Sequence, residues 1–171
     1  DGAPYLWVQG EGRLPASLSI SHRSGQAVCA LSPALSPAVG IDIERVEPRS
    51  AAFVNDYFTA EEAARVWACP PAERDTLVTV IWSAKEAVLK ALRTGLRLDT
   101  RVVQIGRVPG LENGATPQSP TWSPGVHRVD GDQETERQPL PVRCSNQGIL
   151  RSSAWWRPDG ASVLTLAAVW P

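Results

Sequence analysis

Between Pro70-Pro71 and Gly95 lies the longest stretch of this chain with no residue that breaks a helix. Leu77, Ile81, Ala84, Val88 and Leu92 recur there at spacings of three and four, so one face of a helix from about Ala72 to Arg93 is apolar. The paired prolines break the chain before it, and Gly95 suits a helix C-terminus. Whatever else the chain forms has to pack on that face.

The segments on either side read as strands and one short helix. Residues 17–22, Ser-Leu-Ser-Ile-Ser-His, alternate polar and apolar, the pattern of a half-buried strand. Arg23-Ser24-Gly25-Gln26 is a turn, Ala27 to Leu31 the returning strand, and Ser32 to Pro37 a loop with two prolines. Ala38 to Val46 is a third strand. Thr59-Ala60-Glu61-Glu62 is a capping box that opens a short helix to about Ala68. Thr100 to Val108 reads as a strand, and 109–141 as a long variable connection with one weak strand at most. Arg143 to Arg157 and Ser162 to Trp170 read as closing strands within 143–170, with Pro158-Asp159-Gly160 as their turn. No internal repeat is evident. The expectation is a single α+β domain over 1–171, an antiparallel β-sheet packed against one long helix.

Composition narrows the function classes. A chain of 171 residues is long enough for one domain with a real core, and its net charge of −1 gives no bulk attraction for nucleic acid or anionic membrane. No apolar run reaches the roughly 18 residues of a membrane span. The first residues do not resemble a signal peptide, and the missing initiator Met fits a trimmed chain or an excised domain. Cys29, Cys69 and Cys144 are odd in number and widely spaced, which argues against a disulfide framework or zinc site and for a reducing, cytoplasmic setting. Of the 17 basic residues only Lys85 and Lys90 are lysine, and both lie in the long helix. That placement is either chance or a need for a compact, flexible ammonium.

Val39-Gly40-Ile41-Asp42-Ile43-Glu44 carries the first chemical signal. Side chains alternate along a strand, so Asp42 and Glu44 share one face. Two neighbouring carboxylates repel unless something positive lies between them. A divalent cation serves, and all-oxygen ligands favour Mg²⁺ or Mn²⁺ over zinc. A solvated polar edge is the plainer alternative. On the long helix, Trp82, Glu86 and Lys90 form one stripe. Glu86 and Lys90 are either an ordinary i,i+4 pair worth about 0.3–0.5 kcal/mol, or a third oxygen ligand and a phosphate-binding cation. Three carboxylates with a lysine suit a diphosphate substrate, because magnesium completes its shell with phosphate oxygens. Ser21-His22, before a glycine-containing turn, places an imidazole and backbone N–H groups where an anion could sit.

Taken in order, Ser-Ile-Ser-His, Val-Gly-Ile-Asp-Ile-Glu and Trp-Ser-x-Lys-Glu-Ala-x-x-Lys resemble the signatures of the phosphopantetheinyl transferases. The likeness is closer to the surfactin-synthetase-activating type than to the short acyl-carrier-protein synthase type. Tyr57-Phe58-Thr59-Ala60-Glu61-Glu62 also resembles the family's segment before the last motif. The likeness runs from about Gly2 to Leu98, with the core motifs in 17–98. It implies Mg²⁺-dependent transfer of the 4′-phosphopantetheine group of coenzyme A to a serine of an apo acyl or peptidyl carrier protein. Adenosine 3′,5′-bisphosphate would leave, in the service of polyketide or nonribosomal peptide biosynthesis. By the same resemblance, Asp42, Glu44 and Glu86 hold the metal and Glu86 deprotonates the serine. Lys85 and Lys90 contact phosphates, and Ser21 and His22 bind the nucleotide end.

Two departures from the family pattern stand out. Gly2-Ala3-Pro4 lies where relatives often have Gly-Lys/Arg-Pro, so the cation that reads the nucleotide phosphate is absent or comes from elsewhere. Larger members are two similar halves, whereas this chain resembles the second half with a reduced first half. Self-association or a completing domain in a longer parent chain is therefore expected. The alternative function is a non-catalytic domain of this family that binds carrier protein or coenzyme A. An unrelated metal-dependent phosphatase or nuclease would need a water-activating cluster that the sequence does not show.

Overall fold

The computed structural model describes residues 2–33, 37–112, 138–145 and 151–170. It begins with a small hairpin of β1 (Trp7–Val8) and β2 (Gly12–Arg13), then β3 (Ser17–Arg23), β4 (Gln26–Ser32) and β5 (Ala38–Arg45). Helices α1 (Ala51–Tyr57), α2 (Ala60–Ala68) and α3 (Pro71–Ala91) follow. After two short 3₁₀ turns come β6 (Val103–Ile105), β7 (Gln138–Leu140), β8 (Val142–Cys144), β9 (Arg151–Asp159) and β10 (Ser162–Trp170). The main sheet has the order β5-β10-β9-β7, and its neighbouring strands are antiparallel. This is the predicted α+β arrangement of antiparallel strands on one long helix. No helix among the described residues is long and apolar enough to cross a membrane.

Helix α3 starts at Pro71, a position whose missing N–H has no intrahelical partner to lose. Its apolar face packs on one side of the main sheet, against Ala154, Trp156, Val163, Ala167 and Val169. Each fully buried Leu, Ile or Val there is worth about 1.5–3 kcal/mol. The burial is wider than one stripe, since Val78, Trp82 and Lys85 are also covered. The other side of the sheet, Ile41, Trp155, Leu166 and Ala168, is covered by Val28 and Ala30 of β4.

Two features bring β5 close to its neighbours. A Cβ added to Gly40 would lie 1.9 Å from the carbonyl oxygen of Ala87, so only glycine lets the α3 backbone rest on the strand. On the edge of β5 away from β10, the N–H groups of Val39, Ile41 and Ile43 donate to the hydroxyls of Ser17, Ser19 and Ser21, at 2.9, 3.0 and 3.3 Å. Serine side chains thus take the place of a backbone ladder there. They also reverse the predicted polarity of β3. Its period of two is as expected, but the serines are buried and Ile20 is 49% exposed.

Other expectations shift. The strand predicted for 100–108 is only β6, because Thr100–Val102 forms a 3₁₀ turn capped by Asp99. Strand β9 runs on through Pro158 and Asp159, and the turn falls on Gly160 and Ala161, with Gly160 at φ 61. The long closing strand divides into β8 and β9. Residues 113–137 of the expected connection, 34–36 of the loop and 146–150 lie outside the described residues. Helix α1, which no sequence pattern announced, is capped by the Ser50 hydroxyl accepting from Phe53 N–H. At the end of α3 the left-handed residue that closes the helix is Arg93 (φ 57), ahead of the expected Gly95, which is left-handed as well (φ 53). Arg93 N–H donates to Lys90 O and Thr94 N–H to Leu89 O, the paired bonds of a Schellman cap.

Candidate active site

Asp42 projects from β5 toward α3 and is 1% exposed. Glu44 follows on the same strand face, and Glu86 comes from the α3 turn that Gly40 admits. One carboxylate oxygen from each lies within 4.8 Å of the others. Lys90 closes the group, its Nζ 2.6 Å from Asp42 Oδ1 and 3.8 Å from Glu86 Oε2. Ser21 Oγ donates to the same Asp42 oxygen at 2.8 Å. Arg49 and Arg23 reach Glu44 from the outer side, at 3.3 and 3.7 Å.

The charges are unbalanced. Burial pushes the Glu86 carboxyl up to about 7, with the negative charge of Asp42 adding to it and Lys90 only partly opposing. Burial also raises Glu44, again with Asp42 adding and the two arginines opposing. Asp42 Oδ2 is buried without a hydrogen-bond partner among the described residues. A proton held by Glu86 can be shared with Asp42. A divalent cation would satisfy the same need, since the donors are all oxygen, they converge, and one is an orphaned buried acceptor. The residues present fit such an ion.

The other predicted site residues divide. Lys85 does not join the cluster. It is 0% exposed, pairs with Glu62 at 2.9 Å and donates to the carbonyls of Thr100 and Val103. Its expected phosphate contact is corrected on that ground, because the ammonium is committed on all sides beneath α2 and β6. Ser21 stands against the cluster, where its hydroxyl donates to Asp42 and accepts from Lys90 and Ile43 N–H. His22 is exposed on the strand face that also carries Leu18 and Ile20.

Beside the cluster opens a cavity of about 570 Å³. Lys90 is common to both. Leu18, Ile20, Pro4 and Leu96 give it an apolar lining, to which Arg93, Arg97 and Ala3 also contribute. Sequence reasoning missed both arginines, because nothing distinguishes them from the chain's other arginines. It also passed over Gly40, although a glycine inside a strand is a signal of close backbone approach.

A family model described as the 4′-phosphopantetheinyl transferase superfamily matches residues 38–136, a span that holds Asp42, Glu44, Glu86 and Lys90. No curated protein matches the chain. Among solved structures it resembles the holo-[acyl-carrier-protein] synthase of Neisseria meningitidis, at 18% identity and a TM-score of 0.53, covering 78% of this chain and 98% of that one. The synthase of Bacillus anthracis, solved in complex with CoA (3′,5′-ADP), aligns at 14% identity and a TM-score of 0.52, covering 78% and 95%. That of Thermotoga maritima aligns at 17% and 0.50, over 78% of this chain but only 62% of its own length. At such identities the likeness is one of fold.

Proposed function

The chain belongs to the 4′-phosphopantetheinyl transferase superfamily, and on that premise we propose that it moves the 4′-phosphopantetheine group of coenzyme A onto a serine of an apo acyl or peptidyl carrier protein. The observation that carries this reading is the convergence of Asp42, Glu44 and Glu86 from two elements, with Lys90 wedged against them. The carrier serine oxygen forms a bond to the phosphorus bearing the pantetheine arm. The P–O bond to the nucleotide breaks, and adenosine 3′,5′-bisphosphate leaves with the electron pair. Glu86 takes the serine proton, directly or through water.

Asp42, Glu44 and Glu86 would hold Mg²⁺, or Mn²⁺ in its place, to neutralise and orient the diphosphate. Lys90 lies at the rim of the cluster and can meet a phosphate oxygen from there. Positioning and charge neutralisation then supply most of the rate. The ordered motifs favour the surfactin-synthetase-activating type, although the solved structures of the same fold cited above are acyl-carrier-protein synthases.

The test is incubation of this chain with coenzyme A, Mg²⁺ and a panel of apo-carrier proteins, followed by mass spectrometry of the carrier. The expected result is a gain of one phosphopantetheinyl group, lost on omission of Mg²⁺ and in Asp42→Ala and Glu86→Gln. Binding of coenzyme A or carrier without any transfer would instead favour the non-catalytic alternative.

A further inference from the structure

The carboxylates of the cluster are held in different ways. Asp42 is held through Oδ1, which meets both Lys90 Nζ and the Ser21 hydroxyl. Glu44 is held from the outer side, through Oε2. Arg49 Nη2 donates to that oxygen at 3.3 Å, and Arg23 Nε approaches it at 3.7 Å. Glu47 completes the group. Its Oε1 accepts from Arg23 Nη2 at 2.8 Å and pairs with Arg49 Nη2 at 3.1 Å. Two guanidiniums and two carboxylates thus alternate around a ring outside the cluster.

Arg49 is the anchored member of that ring. It immediately precedes Ser50, the N-cap of α1, and its guanidinium carbon lies 5.2 Å from the centroid of the Phe53 ring. Phe53 meets Trp82 edge-on, with centroids 5.0 Å apart, and Trp82 lies one turn before Glu86 on α3. Exposed ion pairs contribute little because both side chains must be immobilised. Here the guanidinium is already confined between an aromatic face and two carboxylates, and the Glu44 side chain is only 13% exposed. Presenting both Glu44 oxygens to one ion would require the carboxylate to turn away from both arginines.

We propose that Arg49, assisted by Arg23, restricts Glu44 to a single ligand oxygen and thereby makes the cluster select Mg²⁺ over Ca²⁺. Arg49 is a positioning residue in this sense: it acts on the cation only through Glu44. Mg²⁺ takes six oxygens at about 2.0–2.1 Å in a near-octahedral array, whereas Ca²⁺ takes six to eight at about 2.3–2.6 Å and accepts both oxygens of one carboxylate. Asp42 is under the same restriction as Glu44, since Lys90 and Ser21 both engage its Oδ1. Two of the three carboxylates therefore give one oxygen each, a supply that suits the smaller ion and leaves the larger one short. The proposal rests on the reading of Asp42, Glu44 and Glu86 as a cation site, and not on which carrier is modified.

The test is displacement of Mn²⁺ from the chain by Mg²⁺ or by Ca²⁺, with free Mn²⁺ followed by electron paramagnetic resonance, in the wild type, Arg49→Met, Arg49→Lys and Arg23→Met. Removing a positive charge beside the site strengthens binding of both divalent ions alike, so the ratio of the two affinities reports ligand geometry apart from charge. In Arg49→Met the ratio should move toward Ca²⁺ by about tenfold, the lower end of what partners of metal ligands contribute. Arg49→Lys keeps the charge and a nitrogen for Glu44 but loses the flat stack on Phe53, so it should restore part of the Mg²⁺ preference. Arg23→Met should shift the ratio in the same direction by less. A ratio unchanged in Arg49→Met, with both affinities raised equally, would overturn the proposal and leave the cation site standing. A wild-type chain that binds none of the three ions would overturn both. A ratio that shifts as expected in a chain that never modifies a carrier keeps this inference and loses the transferase reading.

Discussion

Glu86 links stability and cation binding to pH. Its folded carboxyl lies near 7 against an ordinary 4.5, so between those values the folded state binds more protons than the unfolded one. The resulting stabilisation is complete below 4.5 and is lost as pH rises through about 7. Thermal unfolding without metal should therefore drop across that window. Mg²⁺ should flatten the drop by replacing the proton, and bind more tightly as pH rises. Glu86→Gln should remove most of the slope and leave the part due to Glu44, whose carboxyl burial also raises; an unchanged slope would assign it to another group. Lys85 makes a different prediction. It neutralises Glu62 in a fully covered site, so Lys85→Met should cost about 3–5 kcal/mol in urea unfolding by leaving a buried carboxylate unpaired. The KM for coenzyme A in the remaining folded protein should barely change. A raised KM with normal stability would restore Lys85 to the phosphate site.

The α3–β5 contact is the element on which the cluster depends. Asp42 and Glu86 belong to different elements, and they meet only because the Ala87 carbonyl can lie against Gly40. Gly40→Ala forces the backbones apart, because the obstructing atoms are main chain and cannot rotate away. The expected cost is about 3 kcal/mol or more. The fraction that folds should lose Mg²⁺-dependent activity, with Mg²⁺ affinity by calorimetry falling in step. Full stability and normal Mg²⁺ binding in Gly40→Ala would mean that the helix sits further from the strand. The serine-capped edge works alongside. Ser21 both satisfies Ile43 N–H and holds Asp42, so one side chain ties β3 to β5 and also positions the first carboxylate.

At the scale of the molecule, the outer side of the β3–β4 hairpin is the exposed apolar surface nearest the cavity. Ile20 and Leu31 are about half exposed there. Among the described strands β4 pairs only with β3, which leaves its other edge open. Open edges and contiguous apolar surface favour association. The chain should therefore gain mass with concentration in light scattering, through a second copy in place of the completing half that larger relatives carry. Leu31→Lys should return it to a monomer without altering the cavity. A wild-type monomer at every concentration that also binds coenzyme A tightly would show that no second copy is needed.

Periodicity and local chemistry announced the elements. The spacing of Leu77, Ile81, Ala84 and Val88, the Thr59 capping box and the alternation in Val39–Glu44 determine α3, α2 and β5, because each depends only on neighbours along the chain. The shared face of Asp42 and Glu44 was legible for the same reason. Side chains that depend on what crosses them were not. Lys85 and Lys90 are alike as letters in one helix, yet Lys85 meets Glu62 below α2 while Lys90 meets Asp42 on β5. The serines of β3 read as a solvent face and turned out to be the inner one, since the N–H groups they satisfy belong to a strand some twenty residues away. Arg93 and Arg97 line a cavity only because the end of α3 comes to rest beside Ala3 and Ile20. Which charge is buried, which hydroxyl is engaged and which arginine faces a cavity are questions of partners distant in sequence, and only packing brings those partners together.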